Sequence, residues 1–193
     1  MAKKGMLVVL SAPSGCGKDT VFQALKERRH DIVKSVSATT RAPRAGETDG
    51  VDYFFKSEEE FKRLINSRGL LEFTVYNGCY YGTPIEAVDR AINDGKILFL
   101  IIEVEGGQNI MRLRPDCVSV FLLPPSMEVL EKRLRGRQTN SEEDIQRRLD
   151  VAKFEISYAD VYKYNIVNDD LKVCVDKIND ILELELDAHN RGC

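Results

Sequence analysis

The stretch Ser11-Ala12-Pro13-Ser14-Gly15-Cys16-Gly17-Lys18-Asp19-Thr20 restricts the fold of this chain more than any other. The apolar run Met6-Leu7-Val8-Val9-Leu10 precedes it, and a helical pattern with Val21, Phe22, Ala24 and Leu25 on one side follows. A strand, a loop of small residues ending in Gly-Lys, and a helix together form the setting of a phosphate-binding loop. Glycines allow backbone N–H groups to turn inward with no Cβ in the way. The helix N-terminus adds partial positive charge, so an anion is surrounded by donors. Lys18 then reaches the outer phosphates of a nucleoside triphosphate. Against the pattern G-x-x-x-x-G-K-S/T, Ala12 stands at the first glycine and Asp19 at the hydroxyl residue.

Further apolar runs, Ile97 to Ile102, Val118 to Leu123 and Asn165 to Val167, read as buried strands. Near-continuous Ile, Leu and Val, without alternation, fits parallel strands covered on both faces. Helical patterns separate them. One is expected to open at Thr83-Pro84, with proline at the first helical position, and to end at Gly95. Ser126 opens another, and Ser141-Glu142-Glu143-Asp144 resembles a capping box before Ile145, Leu149 and Ala152. The last helix carries Val175, Ile178 and Leu182. Alternating strands and helices predict an α/β fold with a parallel sheet. Residues 35 to about 86 differ: Tyr53-Phe54-Phe55 and Leu70 to Tyr81 are aromatic and strand-like, and Asn77-Gly78 is a hairpin signal. A small mixed insertion with antiparallel strands is expected there.

A chain of 193 residues, 43% hydrophobic and 31% charged, fits one core with small inserted regions. The net charge of −3 argues against binding a nucleic-acid polymer. Cys16, Cys79, Cys117, Cys174 and Cys193 show no C-x-x-C spacing, so reduced thiols in a cytoplasmic protein are expected, not a zinc site or disulfide framework. Lys3-Lys4 before Met6 to Leu10 suggests a signal peptide, but the run is short and meets Pro13 at once, as a first strand would. No segment is long enough to cross a membrane.

Four groups of residues carry chemistry. Ser37, Arg41, Arg44, Tyr53 and Tyr81 suit a monophosphate: arginines fork onto phosphate oxygens and hydroxyls add neutral donors. Glu72 lies between Leu71 and Phe73. An ionised carboxylate only accepts hydrogen bonds, so it matches the two adjacent donors of guanine and not adenine, with Thr83 placed to donate to O6. Arg133, Arg135, Arg137, Arg147 and Arg148 suit the charge that spreads over a transferring phosphoryl group. Glu103 ends the strand 97–102, where a magnesium-ordering carboxylate can sit. Each group also has a plainer reading, as a solvated loop, strand or helix face.

Taken in order, Ser14-Gly15-Cys16-Gly17-Lys18, Ser37 to Arg44, Tyr53-Phe54-Phe55, Leu71-Glu72, Tyr80 to Thr83, Pro124-Pro125-Ser126, Arg135-Gly136-Arg137, Arg148 and Ile166 to Asp170 resemble the guanylate kinase family over essentially the whole chain. The resemblance implies a parallel sheet of the P-loop NTPase type flanked by helices. It places the core at residues 1–35, 87–126 and 158–193, a mixed GMP-binding region at 36–86 and a helical lid at 127–157. It implies ATP + GMP ⇌ ADP + GDP with Mg²⁺, and ATP and GMP as partners, in a monomer or homodimer. Residue by residue, Lys18, Arg41, Arg137 and Arg148 would be catalytic. Ser14, Gly15, Cys16, Gly17, Lys18, Asp19, Thr20 and Asn168 would bind ATP, Asn168 in the adenine region. Ser37, Arg41, Arg44, Tyr53, Glu72, Tyr81, Thr83 and Glu103 would bind GMP. Two positions depart from the family pattern: Asp19 replaces a hydroxyl, and Ile101 replaces the first carboxylate of Asp-x-Asp. Asp19 is expected to compensate by serving Mg²⁺, with Thr20 as the alternative. The competing reading is a catalytically impaired guanylate-kinase-like interaction module.

Overall fold

The computed structural model describes residues 5–76, 78–136 and 141–191. Strand β1 (Met6–Ser11) is buried along its whole length. It forms the centre of a five-stranded sheet in the order β2-β7-β1-β8-β9, with β2 (Ile32–Lys34), β7 (Ile97–Ile101), β8 (Val118–Leu123) and β9 (Tyr164–Val167). Every neighbouring pair in it is parallel. The apolar runs are explained by this: alternate residues of β1 feed two separate cores. Met6, Val8 and Leu10 pack with Phe22 and Leu25 of helix α1 (Lys18–Arg28) and with Val175, Ile178 and Leu182 of α7 (Leu171–Arg191). Leu7 and Val9 pack with Val88 and Ile92 of α3 (Ile85–Asn93) and Ile110 of α4 (Val104–Leu113). A strand covered on both sides has no reason to alternate.

The inserted region forms a second sheet in the order β4-β3-β6-β5, from β3 (Ser37–Thr39), β4 (Tyr53–Phe55), β5 (Leu70–Tyr76) and β6 (Cys79–Pro84). It is mixed as expected, with β3 parallel to β4 and antiparallel to β6, and β5 antiparallel to β6. Asn77 lies outside the described residues; Gly78 beside it has φ of 77°. Strand β5 inverts the usual pattern of a half-buried strand. Glu72, Thr74 and Tyr76 line a cleft, while Phe73 and Val75 are exposed. The polar residues face inward because that face opens on a binding space and not on a core. Helix α2 (Glu58–Asn66), which the apolar pattern did not reveal, carries a full capping box of Ser57 and Glu60 and buries Phe61.

One expected boundary shifts. Thr83 and Pro84 end β6, and α3 begins at Ile85 with Pro84 as its N-cap and no side-chain cap. Thr83 faces Glu72 across the hairpin, so its hydroxyl is engaged there. Helices α5 (Met127–Arg135) and α6 (Glu142–Ile156) open where expected: Ser126 accepts from Val129 N–H and Ser141 from Asp144 N–H.

Candidate active site

The loop between β1 and α1 lies at the carboxyl end of the central strand, where open parallel sheets bind ligands. Gly15 and Gly17 have φ of 94° and 86°, values a residue with a Cβ adopts only under strain. The loop is also held from outside. Asn168 Nδ2 donates to the Cys16 carbonyl at 2.7 Å, and Arg133 Nη2 to the Asn168 carbonyl at 3.0 Å. Asn168 therefore braces the loop from the end of β9, and is itself 7% exposed. Cys16 is fully buried, and burial pushes its thiol up to about 11. Its structural role is packing, not nucleophilic chemistry.

The loop forms one wall of a cleft of about 550 Å³. Ser14, Gly15, Gly17, Lys18, Asp19 and Thr20 line that wall. Ser37, Arg41, Arg44, Tyr53, Glu72 and Tyr81 of the inserted region line the same cleft, as do Glu103 and Arg148. Residues from positions 14 to 148 thus converge on one space. Lys18 is folded back: its Nζ donates to the Ala12 carbonyl at 2.7 Å and lies 3.6 Å from Glu103 Oε1. Glu155, in the last turn of α6, was not foreseen and is buried near the same group. Burial and the adjacent Glu103 hold its carboxyl above the usual range, and Lys18 opposes this.

In the same cleft, Glu72 is 7% exposed. Thr83 Oγ1 donates to its Oε1 at 2.8 Å, and its Oε2 has no partner. Burial pushes the carboxyl up to about 7, against the lowering effect of Thr83, with the Glu105 charge adding to the rise. A hydroxyl has one proton to donate. Thr83 commits it to Glu72, so the expected bond from Thr83 to guanine O6 is not set up; Thr83 orients the carboxylate instead. Glu103 Oε1 lies 3.6 Å from Lys18 Nζ, and Glu72 Oε2 lies beside Gly106, one helical turn further along α4. Arg41 Nη2 donates to both oxygens of Glu47, and its guanidinium carbon lies 5.3 Å from the Tyr53 ring centre. The Tyr53 and Tyr81 rings meet edge-on at 6.1 Å. Thr74, which lines the cleft with a buried, unpartnered hydroxyl, was also missed.

The arginine group is dispersed. Arg133 braces Asn168, Arg135 pairs with Glu131 and Glu142, and Arg147 pairs with Asp144. Arg147 and Arg148 line the cleft, and Arg137 lies outside the described residues.

A family model for guanylate kinase matches residues 4–185. The chain belongs to the guanylate kinase family. It is 48% identical over 183 residues to the guanylate kinase of Halalkalibacterium halodurans, covering 95% of this chain and 90% of that protein. It is 46% identical over 183 residues to that of Caldanaerobacter subterraneus, covering 95% and 89%. The crystal structure of guanylate kinase from Anaplasma phagocytophilum aligns at a TM-score of 0.78 and 38% identity, over 95% of this chain and 87% of that one. The SH3-kinase fragment of tight junction protein 3 aligns at 0.51 with 12% identity, over 95% of this chain and 58% of that one, a likeness of fold alone. These relatives do not favour the impaired interaction module. No helix among the described residues is long and apolar enough to cross a membrane.

Proposed function

We propose that this chain transfers the terminal phosphoryl group of ATP to GMP, and to dGMP, giving ADP and GDP in purine nucleotide metabolism and GMP recycling. The observation that carries this reading is Glu72: a buried carboxylate with a free oxygen, lining one cleft with the Lys18 loop. Guanine offers N1–H and the 2-amino group to such a carboxylate. Adenine offers an acceptor at N1 and would leave both groups unpaired, a difference worth about 10⁴–10⁵ in selectivity where such bonds are built in.

The protein's part is positioning and charge neutralisation. Ser37, Arg41, Arg44, Tyr53 and Tyr81 hold the acceptor phosphate, with Glu72 fixing the base. The loop amides and Lys18, released from the Ala12 carbonyl, hold the donor phosphates. Arg148 and Arg137 meet the transferring group. Mg²⁺ supplies further neutralisation when bound. Among the described residues there is no cluster of three or more metal-ligating side chains, which suits an ion held by one or two protein oxygens together with substrate phosphates. Asp19 and Thr20, in the first turn of α1 and lining the cleft, are the residues that would hold it. Asp19 pairs with Lys34 at 3.1 Å but is 75% exposed, so an ion would have to draw its carboxylate out of a solvated surface pair.

Residues 1–35, 87–126 and 158–193 act as the core, 36–86 as the acceptor-binding region and 127–157 as a lid that excludes water on closing. Cys16, Cys79, Cys117 and Cys174 are free thiols, in keeping with the reducing cytoplasm. The test is ADP release from Mg·ATP with GMP, dGMP, AMP, CMP or UMP as acceptor. Turnover confined to the two guanine nucleotides supports the reading. Equal turnover with AMP, or none with any acceptor, overturns it.

A further inference from the structure

Glu47 does not line the cleft, yet it holds the arginines that do. Its carboxylate oxygens accept from Arg41 Nη2 at 2.8 and 2.9 Å. Its Oε2 also accepts from the Arg44 backbone N–H at 2.7 Å, and its own N–H donates to the Arg44 carbonyl at 3.1 Å. Arg41 Nη1 donates to the Ala42 carbonyl at 2.7 Å. The Arg41 guanidinium is thereby clamped on one edge and packed beside the Tyr53 and Phe55 rings, 5.3 and 5.8 Å from their centres. Both side chains are sheltered, at 15% and 19% exposure. The shared hydrogen bonds raise the Arg41 guanidinium and lower the Glu47 carboxyl from their ordinary values, so the pair is charged at neutral pH.

A carboxylate pointing into a phosphate site would repel a phosphate dianion. Glu47 avoids this by lying behind the guanidinium. A guanidinium has five N–H donors. One Nη2 N–H, shared between the two Glu47 oxygens, and one Nη1 N–H to Ala42 are engaged, and the other N–H groups remain to turn toward phosphate oxygens. An arginine without such a partner samples many rotamers, and phosphate recognition by a fork depends on its direction. The bond to Arg44 N–H has a second effect: it closes the loop from Arg41 to Glu47 on itself, so the backbone that carries Arg44 is fixed by the same carboxylate.

We propose that Glu47 is a positioning residue of the acceptor-phosphate site: it sets the direction of Arg41 from behind and fixes the loop that brings Arg44 to the same phosphate. This rests on the function proposed above. The carboxylate touches no substrate, and its effect runs through the two arginines. It therefore acts on the phosphate end of GMP and not on the base end at Glu72.

The test compares Glu47→Ala, Glu47→Gln, Arg41→Ala and the double variant Glu47→Ala/Arg41→Ala. GMP and guanosine binding are measured by calorimetry, and KM for each substrate by ADP release. Misdirecting a group that orients a ligand costs about 10–100-fold. GMP affinity is expected to fall at least about tenfold in Glu47→Ala on that scale. Guanosine, which has no phosphate, is expected to bind as to the parent, and KM for ATP is expected to stay within about twofold, because the hydrogen bonds of Glu47 go to Arg41 and Arg44 and not to the phosphate loop. Glu47→Gln keeps one accepting oxygen and is expected to fall between. In the Arg41→Ala background, Glu47→Ala is expected to add less than half its single effect, since the group it positions is gone. Unchanged GMP affinity in Glu47→Ala overturns the proposal, as do an equal loss of guanosine binding or full additivity with Arg41→Ala. Should Glu47→Ala fail to fold by thermal melting, Glu47→Gln decides: a selective loss for GMP over guanosine supports the proposal, and no loss overturns it. Calorimetry needs no turnover. Absence of turnover in the parent would thus count against the functional reading alone.

Discussion

Replacing Glu72 by glutamine changes one oxygen to an amide in a site where little can adjust. Glu72 is 7% exposed, its Oε1 is held by Thr83 at 2.8 Å, and its Oε2 is unpartnered. Keeping the Thr83 bond puts the glutamine oxygen at Oε1 and turns its NH₂ toward the space where Oε2 stood. That NH₂ then faces the donors of guanine. The loss has two parts: a charge-assisted hydrogen bond of about 1.5–3 kcal/mol, and a buried donor left unpaired at about 1–3 kcal/mol. A total of about 3–5 kcal/mol corresponds to about 10²–10⁴ in kcat/KM for GMP. The donor side is untouched, so KM for ATP is expected to hold. The same carboxyl, pushed up to about 7 by burial, gives a pH signature. Its ionised form accepts both guanine donors and its protonated form does not. GMP affinity is therefore full above that value and falls as pH drops through it, approaching about tenfold per unit. The assay is KM for GMP from pH 5.5 to 8.5 in the parent and in Glu72→Gln, where the dependence is expected to flatten. A glutamine variant within about threefold of the parent in kcat/KM, with the same pH profile, would refute the assignment of Glu72 to the base.

Asn168→Ala removes the bond to the Cys16 carbonyl and is expected to lower stability by about 1–3 kcal/mol and raise KM for ATP more than KM for GMP, read by thermal melting and kinetics. Gly15→Ala meets both a φ of 94° and a Leu134 methyl 2.8 Å from the new Cβ, so a loss of at least about 1–3 kcal/mol is expected in a denaturant melt. Asp19→Ser is expected to soften the dependence on Mg²⁺ and Asp19→Ala to weaken Mn²⁺ binding in the ATP complex, followed by electron paramagnetic resonance; unchanged binding removes Asp19 from the metal site. Cys16, buried with its thiol pushed up to about 11, is expected to resist maleimide at pH 8 until the chain is unfolded, as mass spectrometry would show.

The parts of this protein that were legible in the chain are those whose physics is local. The phosphate loop needs small residues in sequence, positive φ at Gly15 and Gly17, and a lysine at the helix start. All of these lie within a few residues, so spacing reveals them. The central parallel strands β1, β7 and β8 are equally local, because strands buried on both faces are apolar at nearly every position, Ser11 and Ser119 excepted. Thr83 shows where this ends. Its residue type suggested a donor to the base, but the pairing of β5 with β6 sets it opposite Glu72 and gives its proton a nearer acceptor. Arg133, Arg135 and Arg147 looked like one basic group and proved to have separate partners.

The sequence by itself therefore determined the fold class, the phosphate loop and the kinds of side chain available to a nucleotide. Tertiary structure decided which of them share a space and which are held by neighbours. Asn168 reaches Cys16 across 152 positions of chain, and Glu155 arrives beside Glu103 and Lys18 from the far end of α6. Glu47 stands behind Arg41 only because its loop folds back on Arg44. Hydrogen bonds and ion pairs act over a few ångströms, and distance along the chain does not fix distance in space. Residue types and spacing could thus name the donors and acceptors, and folding alone could assign their partners.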